Sequence, residues 1–323
     1  MKKTLLTVLG VTLISSALNL HAQSEWPSKP VVLIVPFPPG GGTDAFARPL
    51  TVQLSKQLGH QVIIDNRGGA GGTIGASAAA RAAGDGYTFL IGAVHHAIAP
   101  SVYASLEYNL ERDLIPVTSL AHVPQVVVVN PQKIKATSLK EFVALVQKEP
   151  GRISFGSAGS GTSHHLAGEL FQIVTGAKMV HVPYKGAGPA LTDLIGGQID
   201  SMFDGLGSSA AHIRGGKLKA LAVAGAKRAE AFPDIPTTAE AGLPAFAVST
   251  WYGVWAPKAT PRAIVDRMQR EITQFLGTPE TKEIWFSQGA AAGGESPASF
   301  AAFVHTEVEH WSKIAKQSGA KAD

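Results

Sequence analysis

The sequence predicts an α/β protein of two packed domains, and three observations carry that expectation. Short β-rich runs, glycine-rich turns and amphipathic stretches alternate through most of the chain, the pattern of βαβ units around parallel sheets. Two strand–glycine loop–helix segments far apart in sequence share one design, which supplies one such loop to each lobe. The chain has 323 residues, enough for two packed domains.

Taken in order, the chain opens with Lys2 and Lys3, an almost wholly apolar run from Leu5 to Leu20, and Ala22 ahead of the polar Gln23-Ser24-Glu25. These are the parts of a secretory signal peptide cleaved near Ala22, although Leu20 is larger than the residue usual three positions before a cut. The rival, an uncleaved anchor, needs about 20 apolar residues to span a bilayer, and this run is short for that. Strands are expected at Val31–Val35, Gln61–Ile64, Tyr87–Ile91, Gln125–Val129, Ile153–Phe155, Met179–Val182, Ser201–Phe203, Leu218–Val223 and Thr250–Trp255. Helices are expected between them at Asp44–Leu58, Thr73–Ala83, Leu139–Lys148, Ser163–Thr175, Gly188–Ile195 and Ala210–Gly215. After Trp255 the rhythm turns helical, with Pro261–Leu276, Pro279–Ser287 and Pro297–Gln317. The last carries Phe300, Phe303, Val304, Val308, Trp311 and Ile314 at the spacing of a packed helix face.

Composition removes several classes of function. There is no cysteine, so disulfides, cysteine–zinc sites, thiol catalysis and a lipidated cysteine are excluded. Without Lys2 and Lys3, 26 basic residues face 24 acidic ones, a net charge of +2. No Lys/Arg run supplies a phosphate-tracking stripe, so nucleic acid is not an expected partner. Only 16% of the residues are charged, which suits buried parallel sheets.

The two matching loops are Pro36–Asp44, after the Val31–Val35 strand, and Gly156–His165, after Ile153–Phe155. A helix N-terminus leaves its first N–H groups without partners and carries partial positive charge. Glycines ahead of it clear side-chain bulk, so several N–H groups can converge on one oxygen. Such a site binds a carboxylate, sulfate or phosphate without Lys or Arg. In open α/β sheets these loops stand where ligands gather, at the carboxyl ends of the strands. The structural alternative is two tight turns, with Thr43/Asp44 and Thr162/Ser163 as ordinary helix caps.

Other chemistries fail on spacing. The Gly68–Gly75 run carries Ile74 where a dinucleotide fingerprint needs its third glycine, and no Gly-x-x-x-x-Gly-Lys-Ser/Thr occurs. That run suits a loop crossing closely over a sheet. His164-His165 with Glu169 offers ligand-type side chains, but neighbours on a helix point about 100° apart and His-Glu-x-x-His is absent. No serine lies in Gly-x-Ser-x-Gly. Asp44 and Arg48 stand four apart, the spacing of a cap and its ion pair. His95-His96 follow a strand end, and either imidazole could donate to a ligand carboxylate. In that case affinity would rise as pH falls from about 8 to 6.

The chain resembles the Bug-type receptors, the solute-binding proteins of tripartite tricarboxylate transporters. The resemblance rests on Lys29-Pro30, Pro36–Asp44, Gly86–Leu90, Ser157–Leu166, Val182–Gly186, Leu191–Gln198 and Gly216–Val223, and it spans essentially the whole mature chain. It implies a periplasmic binding protein with a Venus-flytrap fold and a ligand cleft between its lobes. The expected divisions are residues 1–22 as signal peptide, 23–122 plus 250–323 as lobe one, and 123–249 as lobe two. It further implies a carboxylate held by Phe37, Pro38, Gly42, Thr43 and Asp44 of the first loop and by Ser157, Ala158, Gly161, Thr162 and His165 of the second, with Tyr184 and Asp204. The Ala93–His96 loop, with His95 and His96, is the expected contact for the other end of the ligand.

The resemblance thus implies a periplasmic, monomeric, non-enzymatic receptor without cofactor, which captures a di- or aromatic carboxylate and delivers it to a membrane permease. The loops contain no Arg or Lys, which argues against a ligand of very high charge. A sensory module for a carboxylate, or a hydrolase of similar fold, are the alternatives.

Overall fold

The computed structural model describes residues 26–322; the expected signal peptide, residues 1–22, lies outside them. Val31–Val35 (β1) is a central strand, flanked in parallel by Val62–Asn66 (β2) and Thr88–Ala93 (β3). Covered on both faces, such a strand needs no polar alternation. Gly42–Leu58 (α1) and Thr73–Ala80 (α2) supply helical cover. α1 stops at Gly59, whose φ of 68° is left-handed, a common device at helix ends. Then come His95–Val102 (α3), Leu110–Asp113 (α4) and the long strand Leu114–Val129 (β4).

The second α/β set runs Leu139–Lys148 (α5), Ser154–Ser157 (β5), Ser163–Thr175 (α6), Val180–Pro183 (β6), Ala187–Ile195 (α7), Ser201–Gly205 (β7), Leu206–Arg214 (α8) and Lys219–Val223 (β8). The chain returns through Ser249–Pro257 (β9) and ends with Arg262–Gly277 (α9), Pro279–Ser287 (α10), Ala291–Ala292 (β10) and Pro297–Ser318 (α11). Caps set several starts. Ser138 accepts from Glu141 N–H at 3.2 Å, while Glu141 reaches back to Thr137 N–H at 2.6 Å, a reciprocal arrangement akin to a capping box. Thr278 and Ser296 cap α10 and α11, each followed by proline at the first helical position.

The strand order is β2-β1-β3-β9-β4-β7-β5-β6, with β8 and β10 also paired to β4. β4 joins the two halves. Residues 114–124 pair antiparallel with β9, and from Gln125 onward β4 pairs antiparallel with β7 and β8. The molecule is therefore a two-lobed α/β fold in which β4 passes from the first sheet into the second and β9 returns the chain beside the first half of β4. The expected parallel sheets are present, with an antiparallel addition. β1–β3 and β5–β7 are parallel, but the two connecting strands run in opposite directions and pair antiparallel. The sequence reading also missed the first half of β4. Pro116 and Pro124 mark it against strand, yet Pro116 sits where the register slips past β9.

Two buried clusters lie on opposite sides of the sheet. One gathers α1, α7, α8, α9 and Trp285 of α10; the other gathers α3, α5, α6 and α11. The aromatic stripe of α11 packs inward as a core face: Phe300 lies 5.8 Å from Trp251 and 5.0 Å from Trp255. The Gly68–Gly75 run does cross closely over the sheet, since a Cβ at Gly75 would stand 2.7 Å from Pro36 Cα. No helix among the described residues is long and apolar enough to cross a membrane.

Candidate functional site

Three helices begin at one place between the lobes. α1 opens after Gly41, so the amides of Gly42, Thr43 and Asp44 are its first three, ahead of Ala45 N–H, which donates to Gly41 at 2.9 Å. α6 opens after Thr162, presenting the amides of Ser163, His164 and His165 before Leu166 N–H bonds back to Thr162 at 3.0 Å. α7 opens after Gly186, with Ala187 first. A small cavity of about 20 Å³ lies among them, lined by Phe37, Gly41, Gly42, Thr43, His95, Ala158, Ser163, His164, Ala187, Thr250 and Tyr252. It has room for about one water molecule. The loops of the two lobes touch around it. A Cβ at Gly186 would lie 2.9 Å from Pro38 Cδ, and Tyr103 Oη of lobe one donates to Ser160 O of lobe two at 3.2 Å.

Of the residues expected from sequence, Phe37, Gly42, Thr43, His95 and Ala158 line this cavity. The others stand behind it. Asp44 is buried and receives Arg48 through two bonds, of 2.7 and 2.9 Å, together with Gly40 N–H at 3.0 Å. It lies in the first turn rather than at the cap, which Gly41 occupies. Pro38 is wedged between Gly68 and Gly186. Ser157 Oγ is 2.6 Å from His181 Nε2 and accepts from Gly159 N–H, while Thr162 Oγ1 donates to Gly159 O at 2.7 Å. His165 Nδ1 accepts Gly161 N–H at 3.1 Å, and its ring stacks on His181 with centroids 4.1 Å apart. Tyr184 Oη donates to Asp193 at 2.7 Å; burial, then that bond, pushes its pKa up to about 12.

Gly161 itself is a structural position. Its φ is 76°, and a Cβ there would press to 2.7 Å from Val102 Cγ2, so an aspartate would strain the backbone and push on lobe one.

The two histidines after β3 belong to a helix, α3, not to a loop. His95 lines the cavity and meets Phe37 edge-on at 4.6 Å. His96 turns back, its Nδ1 3.1 Å from Ala93 O and 3.2 Å from Ala93 N. Burial lowers both, His95 well below 6.5 with help from its imidazole neighbours, and His96 to about 4. Burial thus disfavours a positive charge on either ring toward an anion.

Gly41, Ser163, His164, Ala187, Thr250 and Tyr252 line the cavity but were not among the expected contacts. His164 Nε2 faces the fully buried Asp204 Oδ1 at 3.5 Å, and Asp204 Oδ2 accepts from Ser208 and Ser209 at 2.7 and 2.6 Å. Thr250 and Tyr252 alternate along β9, the period-two pattern that turns both toward the cleft. Gly42 must be glycine, because a Cβ would collide with the Tyr252 hydroxyl.

A larger cavity of about 450 Å³ lies at the connecting strands, between His122–Pro124, Ser249, the 225–231 loop and Phe286. It is a poor anion site. The nearby end of α10 is its C-terminus, where carbonyl dipoles repel negative charge. Its cations Lys227 and Arg228 are already paired with Glu230 and Glu240.

Comparison with known proteins agrees on one family. A model described as the tripartite tricarboxylate transporter family receptor matches residues 46–320. The protein BugT of Bordetella pertussis is 38% identical over 320 residues, covering 98% of each chain. Among solved structures, Rpa4515 of R. palustris with adipate is 36% identical with a TM-score of 0.89, covering 92% of this chain and 99% of that one. MatC (Rpa3494) of Rhodopseudomonas palustris with bound malate is 32% identical with a TM-score of 0.84, covering 89% of this chain and 99% of that one.

Proposed function

We propose a function from one premise: the chain belongs to the tripartite tricarboxylate transporter family of periplasmic solute-binding receptors, the Bug-type receptors. It captures a small dicarboxylate between its lobes and delivers it to the membrane permease of such a transporter. The observation that carries this is the convergence of α1, α6 and α7, by their N-termini, on one cavity whose lining includes no Lys or Arg. Backbone amides at helix starts suit a carboxylate, and each charge-assisted bond contributes about 1.5–3 kcal/mol. The relatives solved with adipate and malate support a dicarboxylate of four to six carbons.

The ligand meets Phe37, the Gly42–Thr43 amides, Ala158, the Ser163–His164 amides, His95 and Tyr252. Pro38, Asp44, Ser157, Gly161, Thr162, His165 and Tyr184 hold those groups in place. A cavity of about 20 Å³ cannot hold adipate, so the bound arrangement is wider than this one: the lobes part where β4 crosses between them and close around the ligand at a greater spacing. Lobe divisions at 122/123 and 249/250 are supported by the change of β4's partners at Gln125 and the start of β9 at Ser249. Residues 1–22 serve as the signal peptide, as the Lys2–Ala22 pattern supports.

A thermal-shift panel of carboxylates tests the reading. At a hundred times Kd, a true ligand stabilises the protein by about 2.7 kcal/mol. Thr43→Ala, which takes an oxygen from the cavity wall and leaves the fold intact, weakens that ligand about three- to tenfold, the value of one hydrogen bond. A panel with no stabilising carboxylate would refute the assignment.

A further inference from the structure

Two histidines of the cavity lining carry buried ring nitrogens that no protein group satisfies, His95 Nε2 and His164 Nδ1, and behind the lining Asp204 Oδ1 is likewise without a hydrogen bond. Buried polar atoms in folded proteins are normally partnered, and the two imidazoles belong to a site for an anion that has no cationic side chain in its lining. Arg48, on the adjacent helix, is locked to Asp44. His95 from α3, Thr250 and Tyr252 from β9, Thr43 from α1 and Ala187 from α7 share the cavity lining with His164, and Asp204, held by Ser208 and Ser209, stands beside its Nε2. Among these groups only Asp204 can stabilise an imidazolium. Its carboxylate has one oxygen filled by two serine hydroxyls and the other turned to His164 Nε2 at 3.5 Å.

We propose that His164, positioned by Asp204, meets the ligand's second carboxylate and takes up a proton as it does so, so that the site binds a dicarboxylate dianion together with one proton. This rests on the carboxylate reading above and adds the specificity of that same site. The balance is simple. A proton from solvent goes to the free Nδ1 lone pair, the new N–H donates to the ligand carboxylate, and Nε2–H faces Asp204. In the free protein, burial holds His164 below its usual pKa against the opposing pull of Asp204. An arriving carboxylate adds a second pull in the same direction as Asp204's and favours the charged ring. A monocarboxylate lacks the group that pays back this charging, which would separate adipate from hexanoate.

Calorimetry of adipate binding to the whole protein, at pH 7 in phosphate and in Tris, tests this. These buffers differ in ionisation enthalpy, so the difference in heat counts protons. The expected result is net uptake approaching one proton per adipate, with affinity rising by up to about tenfold per unit as pH falls from 8 to 6. His164→Gln binds adipate more weakly and without uptake or pH dependence. Asp204→Asn keeps the uptake but moves its midpoint to lower pH, which a purely structural loss would not do. Adipate binding with no proton count, or with uptake that persists in His164→Gln, would overturn the proposal and leave the carboxylate assignment standing. Absence of adipate and malate binding at both pH 6 and pH 8 would overturn both.

Discussion

The loop after β1 and the loop after β5 present the same feature, a helix N-terminus opened by glycine, but they are fastened from behind by different chemistry. In lobe one Asp44 accepts two bonds from Arg48 and one from Gly40 N–H, and Asn66 Nδ2 ties Phe37 O at 2.8 Å. In lobe two the fastening is a chain of neutral groups, with Ser157 on His181, His181 stacked on His165, and His165 accepting Gly161 N–H. The first fastening is a salt bridge, and the second depends on imidazoles that burial holds below their usual pKa. Protonating those rings would disrupt it, so the second loop carries a sensitivity to acid.

That contrast is broken or sharpened most strongly by pH. Burial lowers the pKa values of His95, His96, His164, His165 and His181, with His96 and His181 at about 4. The unfolded chain titrates near 6.5, so between about 6.5 and 4 it binds more protons than the folded protein does. Stability therefore falls as pH drops through that window and is level above about pH 7. Calorimetric Tm should fall by several degrees between pH 7 and pH 5. His181→Asn should flatten part of that slope. A Tm independent of pH would mean that the second loop is not held by neutral imidazoles.

Gly42→Ala comes next. The added Cβ meets the Tyr252 hydroxyl and lies 2.8 Å from its Cζ, and overpacking of this kind costs about 1–3 kcal/mol. Gly42 and Tyr252 both belong to the first lobe, where Tyr252 pairs with Ala93 of β3, so the cost falls on the cavity wall itself whether or not the lobes are together. Dicarboxylate affinity should drop about 10- to 100-fold while circular dichroism is unchanged. The corresponding first helical residue of α6 is Ser163, which already tolerates a side chain, so Ser163→Ala should cost less than tenfold.

Arg48→Ala addresses the fastening of the first loop directly. It leaves Asp44 buried with Gly40 N–H and a long Asn66 contact of 3.4 Å as its remaining partners. Removing one side of a fully buried pair costs 3–5 kcal/mol, but Arg48 is 57% exposed, so about 1–2 kcal/mol is expected. Chemical denaturation at pH 7 should show that loss. An unchanged midpoint would mean that the ion pair does not fasten the first loop.

The two loops were also unequally legible in the sequence. The strand–glycine–helix order located both, because glycine runs and apolar strands are local signals. What local signals could not settle was which of two adjacent histidines turns inward. His164 and His165 sit about 100° apart on one helical turn, and only packing against Asp204 and His181 decides that His164 faces the cavity. The same limit hid α1's first residues. Gly42 has poor helix propensity, yet it is the first helical residue, at a position where a side chain would strike Tyr252. Thr250 and Tyr252 were read as strand, but their place in the cavity wall depends on β9 packing beside the first loop, a contact across some 200 residues of sequence that no local pattern encodes.

The smallest expected effect concerns the seam where the lobes meet. Tyr103 Oη donates to Ser160 O in the second glycine loop at 3.2 Å, so this bond joins the lobes beside the cavity without entering it. Tyr103→Phe removes the hydroxyl and keeps the ring, whose edge lies 3.2 Å from where a Cβ on Gly161 would stand. One neutral hydrogen bond contributes about 0.5–1.5 kcal/mol. Because the bond exists only when the lobes are together, that energy should appear in ligand release and hardly at all in the stability of either lobe. Stopped-flow measurement should give a dissociation rate about two- to tenfold faster, with the association rate and the denaturation midpoint of the ligand-free protein nearly unchanged. A slower association instead would place the hydroxyl's role in the approach of the ligand, before the loops meet. An unchanged dissociation rate would show that the fastenings behind each loop, and not the seam between them, set how long the ligand is held.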